Sequence, residues 1–366
     1  MINSNQRIGV GIIGAGEDSW AVKSHLPALK MLSGKFNIVA VSTSNINTAQ
    51  KTASDFEIPF AFDNEQELVN HPGVELVIVA VKVPAHDKLV KAALSAGKMV
   101  YCEWPLGNGY DEAVSMAELA ASKQIKTFCG LQSNALPDLK FLRDYIREGK
   151  LGKIYSASVM AGGNNWGPII ESKSLEYLLD PANGATMLQI PFGHMLYALQ
   201  FILGPVSHYD TLLARRIENA AIENAAETVP QLSNDQIIFR STHSDGTVCS
   251  IHYHGGEWEG INFRWEIYGS KGRLSITSVI GHIQFGKLRL EFTPTGGTSA
   301  DLIIPEQYQP YDGGQPGLSA ELSRGMYYAY SQVYEDIRNS SSFYPDFKEA
   351  VKLHELIQYI ERYAQR

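Results

Sequence analysis

Four short stretches of this chain hold residue types that could do chemistry. In "GIIGAGEDSWAVKSH" (11–25), Gly14 and Gly16 follow an apolar run and precede a helical one. The first permits a tight turn. The second lets backbone approach a pyrophosphate at a helix N-terminus. Ser19 stands where the third glycine of GxGxxG would be, and the helix is expected to begin late, at Trp20 or Ala21. In "VAVSTSN" (39–45) the run ends in Ser42, Thr43 and Ser44, with no carboxylate to hold a ribose 2′-hydroxyl or repel a 2′-phosphate. That favours NADP, or a site taking NADP and NAD alike; three small polar residues also suit a plain turn. In "VYCEWPLG" (100–107) a strand ends in Glu103, Trp104 and Pro105. Strand ends meeting loops are where reactive groups are placed, yet Trp exchanges no proton at neutral pH. In "HYHGGEWEG" (252–260), His252 and His254 alternate on a strand and Glu257 and Glu259 follow a turn. This reads as a hairpin, and no metal site is expected.

These residues need a frame. Residues 7–130 alternate apolar strands with helices: strands at 7–14, 37–43, 74–81, 98–104 and 126–132, helices at 21–32, 48–56, 84–96 and 111–123. Such alternation means a parallel sheet covered on both faces. A helix is expected at 137–148. Beyond it come strands at 153–161, 207–214, 235–244, 247–254, 264–270, 273–279, 282–286 and 288–294, with hairpin turns between, forming a largely antiparallel sheet. Helices at 175–179 and 191–203 should pack on it, and two more, at 320–339 and 346–363, end the chain. Residues 219–234 read as a polar loop. The expected division is 1–130, a dinucleotide-binding Rossmann domain, and 131–366, an α+β domain with an open sheet, whose last helix can return to the first domain.

Composition bounds the partners. The 366 residues exceed what one core needs. The balance of 39 acidic against 31 basic side chains argues against direct nucleic-acid binding. Cys102, Cys129 and Cys249 are scattered and odd in number, which suits a reducing, cytoplasmic setting. The N-terminal apolar run stops at Glu17-Asp18 and reads as a strand rather than a leader. No apolar run reaches the ~20 residues of a membrane span.

"VELVIVAVKVPAHDKLVKAALSAGKMVYCEWPLG" (74–107) resembles the glucose–fructose oxidoreductase / inositol dehydrogenase / MocA (Gfo/Idh/MocA) family. His86 matches the family's turn histidine, Gly97-Lys98 its helix end, and Glu103 and Pro105 the outer members of its Glu-Lys-Pro tripeptide. The central Lys, implicated in catalysis beside the nicotinamide, is Trp104 here. In "NGATMLQIPFGH" (183–194), His194 matches the His of the family's Asp-x-Gly-x-His, while Ile190 and Phe192 stand at the Asp and the Gly. Indole and alkyl groups cannot do general acid–base work. Glu-Trp-Pro, "AGGNNWG" (161–167) and the longer glycine loop resemble the branch of the fungal galactose-regulon repressor.

The resemblance implies a cofactor edge extending from the glycine loop (Gly14, Gly16, Ser19, Trp20) and Ser42–Ser44 to Val81, Val83, His86, Glu103, Trp104, Pro105 and Gln132. It implies a cleft for a small sugar- or polyol-like ligand, with Trp104, Asn134, Asn165, Trp166, Tyr177 and His194 around it. His194 is the main acid–base candidate and Lys82 the reserve; His194 can equally bind a ligand hydroxyl, and Lys82 can face solvent or ribose. Two functions follow: an NAD(P)-dependent oxidoreductase with a rebuilt acid–base, or a dinucleotide-responsive regulator without turnover and with a protein partner. A homo-oligomer, dimer or tetramer, is expected through the second-domain sheet, with Tyr253, Trp265 and Tyr268 on its contact face.

Overall fold

A computed structural model describes residues 7–308 and 318–365; the first six residues of the N-terminal stretch lie outside them. The described residues divide into two compact units. One runs to Ala135 and takes in the C-terminal stretch that ends at Glu355; the other begins at Leu136 and takes in Leu356 onward.

The first unit is a parallel sheet with helical crossovers. In chain order come β1 (Ile8–Ile13), α1 (Leu26–Met31), β2 (Phe36–Ser42), α2 (Ile46–Asp55), β3 (Phe60–Phe62), α3 (Glu65–Asn70), β4 (Leu76–Val79), α4 (His86–Ser95), β5 (Met99–Cys102), α5 (Tyr110–Ser122) and β6 (Thr127–Cys129). The strand order is β3-β2-β1-β4-β5-β6, with every pairing parallel. Every residue of β1 and β4 is buried, as strands covered on both faces require. The helix after the glycine loop opens with a π turn, Ala21–His25. Pro27 explains it: the ring has no N–H to offer the carbonyl four residues back, so the wider turn carries the chain into α1. α2 starts at Ile46, earlier than expected, because the Asn45 side chain accepts from the N–H groups of Asn47 and Thr48. β3 and α3 were not anticipated.

The second unit contains α6 (Pro137–Arg147), β7 (Ile154–Gly163), β8 (Ile169–Ile170), α7 (Pro191–Leu203), β9 (Val206–Ala214), β10 (Asn219–Ile222), β11 (Thr228–Pro230), β12 (Gln236–His243), β13 (Val248–Gly255), β14 (Phe263–Gly269), β15 (Gly272–Ser278), β16 (Arg289–Pro294) and β17 (Ala300–Asp301). The large sheet has order β17-β16-β15-β14-β7-β13-β12-β9. It is antiparallel except where β13 runs parallel to β7. α7 covers one face, with Phe192 against Phe239 at 5.6 Å and Tyr253 at 6.3 Å between ring centres.

Three expectations need correction here. Residues 219–234 are not all loop: β10 pairs with β11 and β8. Residues 282–286 are a tight turn, not a strand, closed by Phe285 N–H donating to His282 O at 3.2 Å. Tyr253 and Trp265 are fully buried on the α7-covered face, and only Tyr268 of the trio is on the open one. Residues 173–179 wind as a 3-10 helix.

Two helices close the chain, α8 (Leu318–Asn339) and α9 (Phe347–Tyr363). α8 belongs to the first unit, where Tyr330 and Tyr334 meet Phe36 at the start of β2. The division between the units falls within α9.

Candidate functional site

The glycine loop joins β1 to the π turn. Gly14 has φ +101°, and a Cβ there would lie 2.3 Å from Ala80 O. The fold itself therefore requires glycine. Its N–H donates to Ser42 O at 2.9 Å, tying the loop to β2. Gly16 differs: a Cβ would meet nothing nearer than Thr48 Cγ2 at 3.8 Å. Open space above Gly16 is what a closely approaching phosphate needs. Ser19 Oγ accepts from Val22 N–H at 3.3 Å and steadies the helix start, next to Trp20. Of the hydroxyl trio, Ser42 is buried and Ser44 exposed. Thr43 is engaged in the turn, its Oγ1 donating to Asn45 O at 2.7 Å.

Beyond β4, Lys82 is exposed and Val83 buried. His86 is buried, with Nε2 3.0 Å from Val81 O and Nδ1 3.0 and 3.2 Å from Pro105 O and Leu106 O. Whichever ring nitrogen carries the proton, it donates to a backbone carbonyl. His86 thus braces the loop after β5, and burial lowers its pKa. In that loop, Trp104 is 4% exposed and its peptide bond to Pro105 is cis. Its indole lies on the His354 ring, centres 4.6 Å apart. Burial first, and the neighbouring His86 second, push the His354 pKa down to about 3. The tryptophan therefore rests on an uncharged partner inside its own unit.

Glu103 approaches His25, Oε1 to Nε2 3.4 Å, and His25 Nδ1 bonds Tyr330 OH at 2.5 Å. Buried and without a protein hydrogen-bond partner are Gln132 Oε1, Ser133 Oγ and Asn134 Oδ1. Each such orphan costs about 1–3 kcal/mol. They follow β6, as Glu103 follows β5, at the carboxyl edge where doubly wound sheets bind ligands. The Gly14–Gly16 cradle and these acceptors fit a dinucleotide. When bound, its nicotinamide would supply hydride transfer; the chain's own residues would hold and orient it.

In the second unit, His194 lies on α7, with Nδ1 unpaired. Burial, then His282, lowers its pKa to about 3. It is a weak base there. Asn165 is knotted locally: its Oδ1 accepts from Glu171 N–H at 2.9 Å, and its amide donates to Asn164. Trp166 is buried, its Nε1 donating to Ala185 O at 3.1 Å. Tyr177 is half-buried, and desolvation raises its phenol pKa. Sequence reasoning missed His25, His354, His282 and Gln284. The signal for the last two was present: two polar side chains alternate with apolar ones in "HIQF", which also mimics a strand. Among the described residues, no group of His, Cys, Asp and Glu could hold a metal, and no helix is long and apolar enough to cross a membrane.

Two family models match the chain. Residues 8–131 match the family described as oxidoreductase family, NAD-binding Rossmann fold. Residues 137–278 match the Gal80p C-terminal domain. The galactose/lactose metabolism regulatory protein GAL80 of Kluyveromyces lactis is 26% identical over 313 residues, 80% of this chain and 68% of that protein. Dehydrogenase aclE of Aspergillus oryzae is 31% identical over 206 residues, 55% of this chain and 56% of that protein. A super-repressor mutant of Gal80p from Saccharomyces cerevisiae superposes with a TM-score of 0.87 at 22% identity, covering 98% of this chain and 96% of that one.

Proposed function

The chain belongs to the Gfo/Idh/MocA oxidoreductase family, near its Gal80 branch, and from that premise we propose that it binds NAD(P) and a small sugar- or polyol-like ligand without rapid turnover, as a dinucleotide-responsive regulator. The observation that carries this reading is Trp104. At the position of the family's lysine stands an indole packed on the neutral ring of His354, with no proton to give. Ile190 removes the matching carboxylate. A hydride shift from an alcohol must release the hydroxyl proton to some base, and His194, its pKa lowered to about 3, is a poor one.

A second reading is a slow dehydrogenase using His194, with Lys82 in reserve. It is favoured by the unpaired Nδ1 of His194. The lack of a carboxylate after β2 and the exposed Ser44 support acceptance of NADP beside NAD. Homo-oligomerisation is proposed through the open face of the large sheet, where Met160, Ile238, Val248 and Tyr268 are exposed. A regulator would add a protein partner. The formal charge of −8 speaks against direct contact with nucleic acid, and three free cysteines suit the cytoplasm. Calorimetry with NAD and NADP, followed by nicotinamide absorbance with a panel of polyols, tests the proposal: binding without a change in absorbance supports it.

A further inference from the structure

The turn after β15 carries two buried polar side chains that the protein leaves unanswered. His282 is 6% exposed and Gln284 2%. Neither ring nitrogen of His282 and neither amide atom of Gln284 has a hydrogen-bond partner, and the same holds for His194 Nδ1. His282 is close enough to His194 to perturb its titration.

These side chains are held in place. Gly281, just before the turn, is gripped on both sides: its N–H donates to Glu257 Oε1 at 2.6 Å and its carbonyl accepts from Tyr253 OH at 2.6 Å. A Cβ on Gly281 would lie 1.9 Å from Gly162 O, so the turn is pressed against β7. The His282 ring contacts Trp166, centre to centre 5.7 Å, and Phe285, 5.3 Å and nearly parallel. A core that needed only to be filled would use apolar groups at both positions, because buried unpaired polar atoms cost stability. Rigid support of unpaired donors and acceptors is the arrangement of a binding site.

We propose that His282 and Gln284 are specificity-determining residues which, with His194, bind an uncharged polyhydroxylated ligand and discriminate against its carboxylate analogue. The proposal rests on the small-ligand reading above and adds its charge. A hydroxyl both donates and accepts, so it can answer a ring nitrogen in either tautomer and both ends of an amide. A carboxylate only accepts. Burial holds His282 near a pKa of about 4 and His194 near about 3, so at neutral pH neither ring carries a positive charge to offset an anion.

The test uses the full chain and two near-isosteric variants, Gln284→Leu and His282→Phe. Calorimetry is run with myo-inositol, D-glucose and D-xylose, with D-glucuronate as the charged analogue, and separately with NAD. The unmodified protein should bind at least one neutral probe, and D-glucuronate at least tenfold more weakly than D-glucose. Each variant should lose about tenfold or more in affinity for the neutral probe while its melting temperature holds or rises and its NAD affinity is unchanged. A melting temperature that falls by several degrees with polyol affinity unchanged would mean that ordered water satisfies these atoms and their role is structural. That result overturns the proposal. So does equal or tighter binding of D-glucuronate. NAD binding without any polyol binding sinks this inference alone, whereas loss of NAD binding in the unmodified protein sinks the functional reading beneath it.

Discussion

At the scale of the residue, the two glycines of the loop have different roles. Gly14 has no room for a side chain even without a ligand, its Cβ position lying 2.3 Å from Ala80 O. Any side chain there confounds binding with folding. Gly16 has that room. Gly16→Val is therefore expected to keep the melting temperature within a few degrees and to weaken NAD by about a hundredfold or more, since the methyls fill the phosphate's space. Calorimetry and thermal unfolding on one preparation check this; unchanged affinity would put the cofactor elsewhere. Trp104 gives the second case. Trp104→Lys replaces a buried ring on His354 with an ammonium. Lost packing and the unpaired charge should cost about 3 kcal/mol or more without restoring sugar oxidation, because Ile190 remains. Urea unfolding and a polyol assay on that variant decide the matter. The sequence showed that a tryptophan stands at the lysine's position. It could not show that His354, 250 residues later, would receive it.

Elements were legible where one physical signal dominated. The parallel strands read as apolar runs and are buried. The second sheet was legible as a set of strands but not as faces: on β14, Trp265 and Tyr268 differ in parity and must point to opposite sides, so the aromatic trio could never share one face. Alternation misled again at 282–286, where "HIQF" has the period of a strand and a turn's hydrogen bond. β10 and β11 escaped because Asn-Ala-Ala-Ile and a three-residue Thr-Val-Pro segment carry little apolar signal. The histidines placed by these elements set an acid limit. His194, His282 and His354 are held near pKa values of about 3, about 4 and about 3, against an ordinary 6.5. Native rings stay neutral while unfolded ones take up protons below about pH 6.5. Their stability contribution is thus fully present above that pH and lost as pH falls toward 4. The slope is up to about 1.4 kcal/mol per pH unit for each ring. Urea midpoints at pH 7 and pH 5 should differ accordingly, with about three protons taken up by these rings on unfolding at pH 5. A flat profile would mean that the rings are already charged in the native protein.

For the molecule as a whole, association and chemistry are the open quantities. The open face of the large sheet presents Met160 and Ile238 among charged neighbours such as Arg240 and Arg264. If that face pairs copies, Met160→Glu with Ile238→Glu should shift light-scattering mass toward the monomer at micromolar concentration without altering NAD affinity. A monomeric unmodified protein would remove the interface. The central claim is that this chain keeps a dinucleotide site while having lost rapid hydride chemistry. The most direct measurement is a single-turnover experiment: excess protein with NAD or NADP, mixed with a polyol panel, and nicotinamide absorbance followed for hours beside a calorimetric titration of the same sample. The account predicts saturable dinucleotide binding and no absorbance change faster than a very slow drift that His194→Ala abolishes. Rapid reduction of the bound nicotinamide, insensitive to His194→Ala, would contradict it.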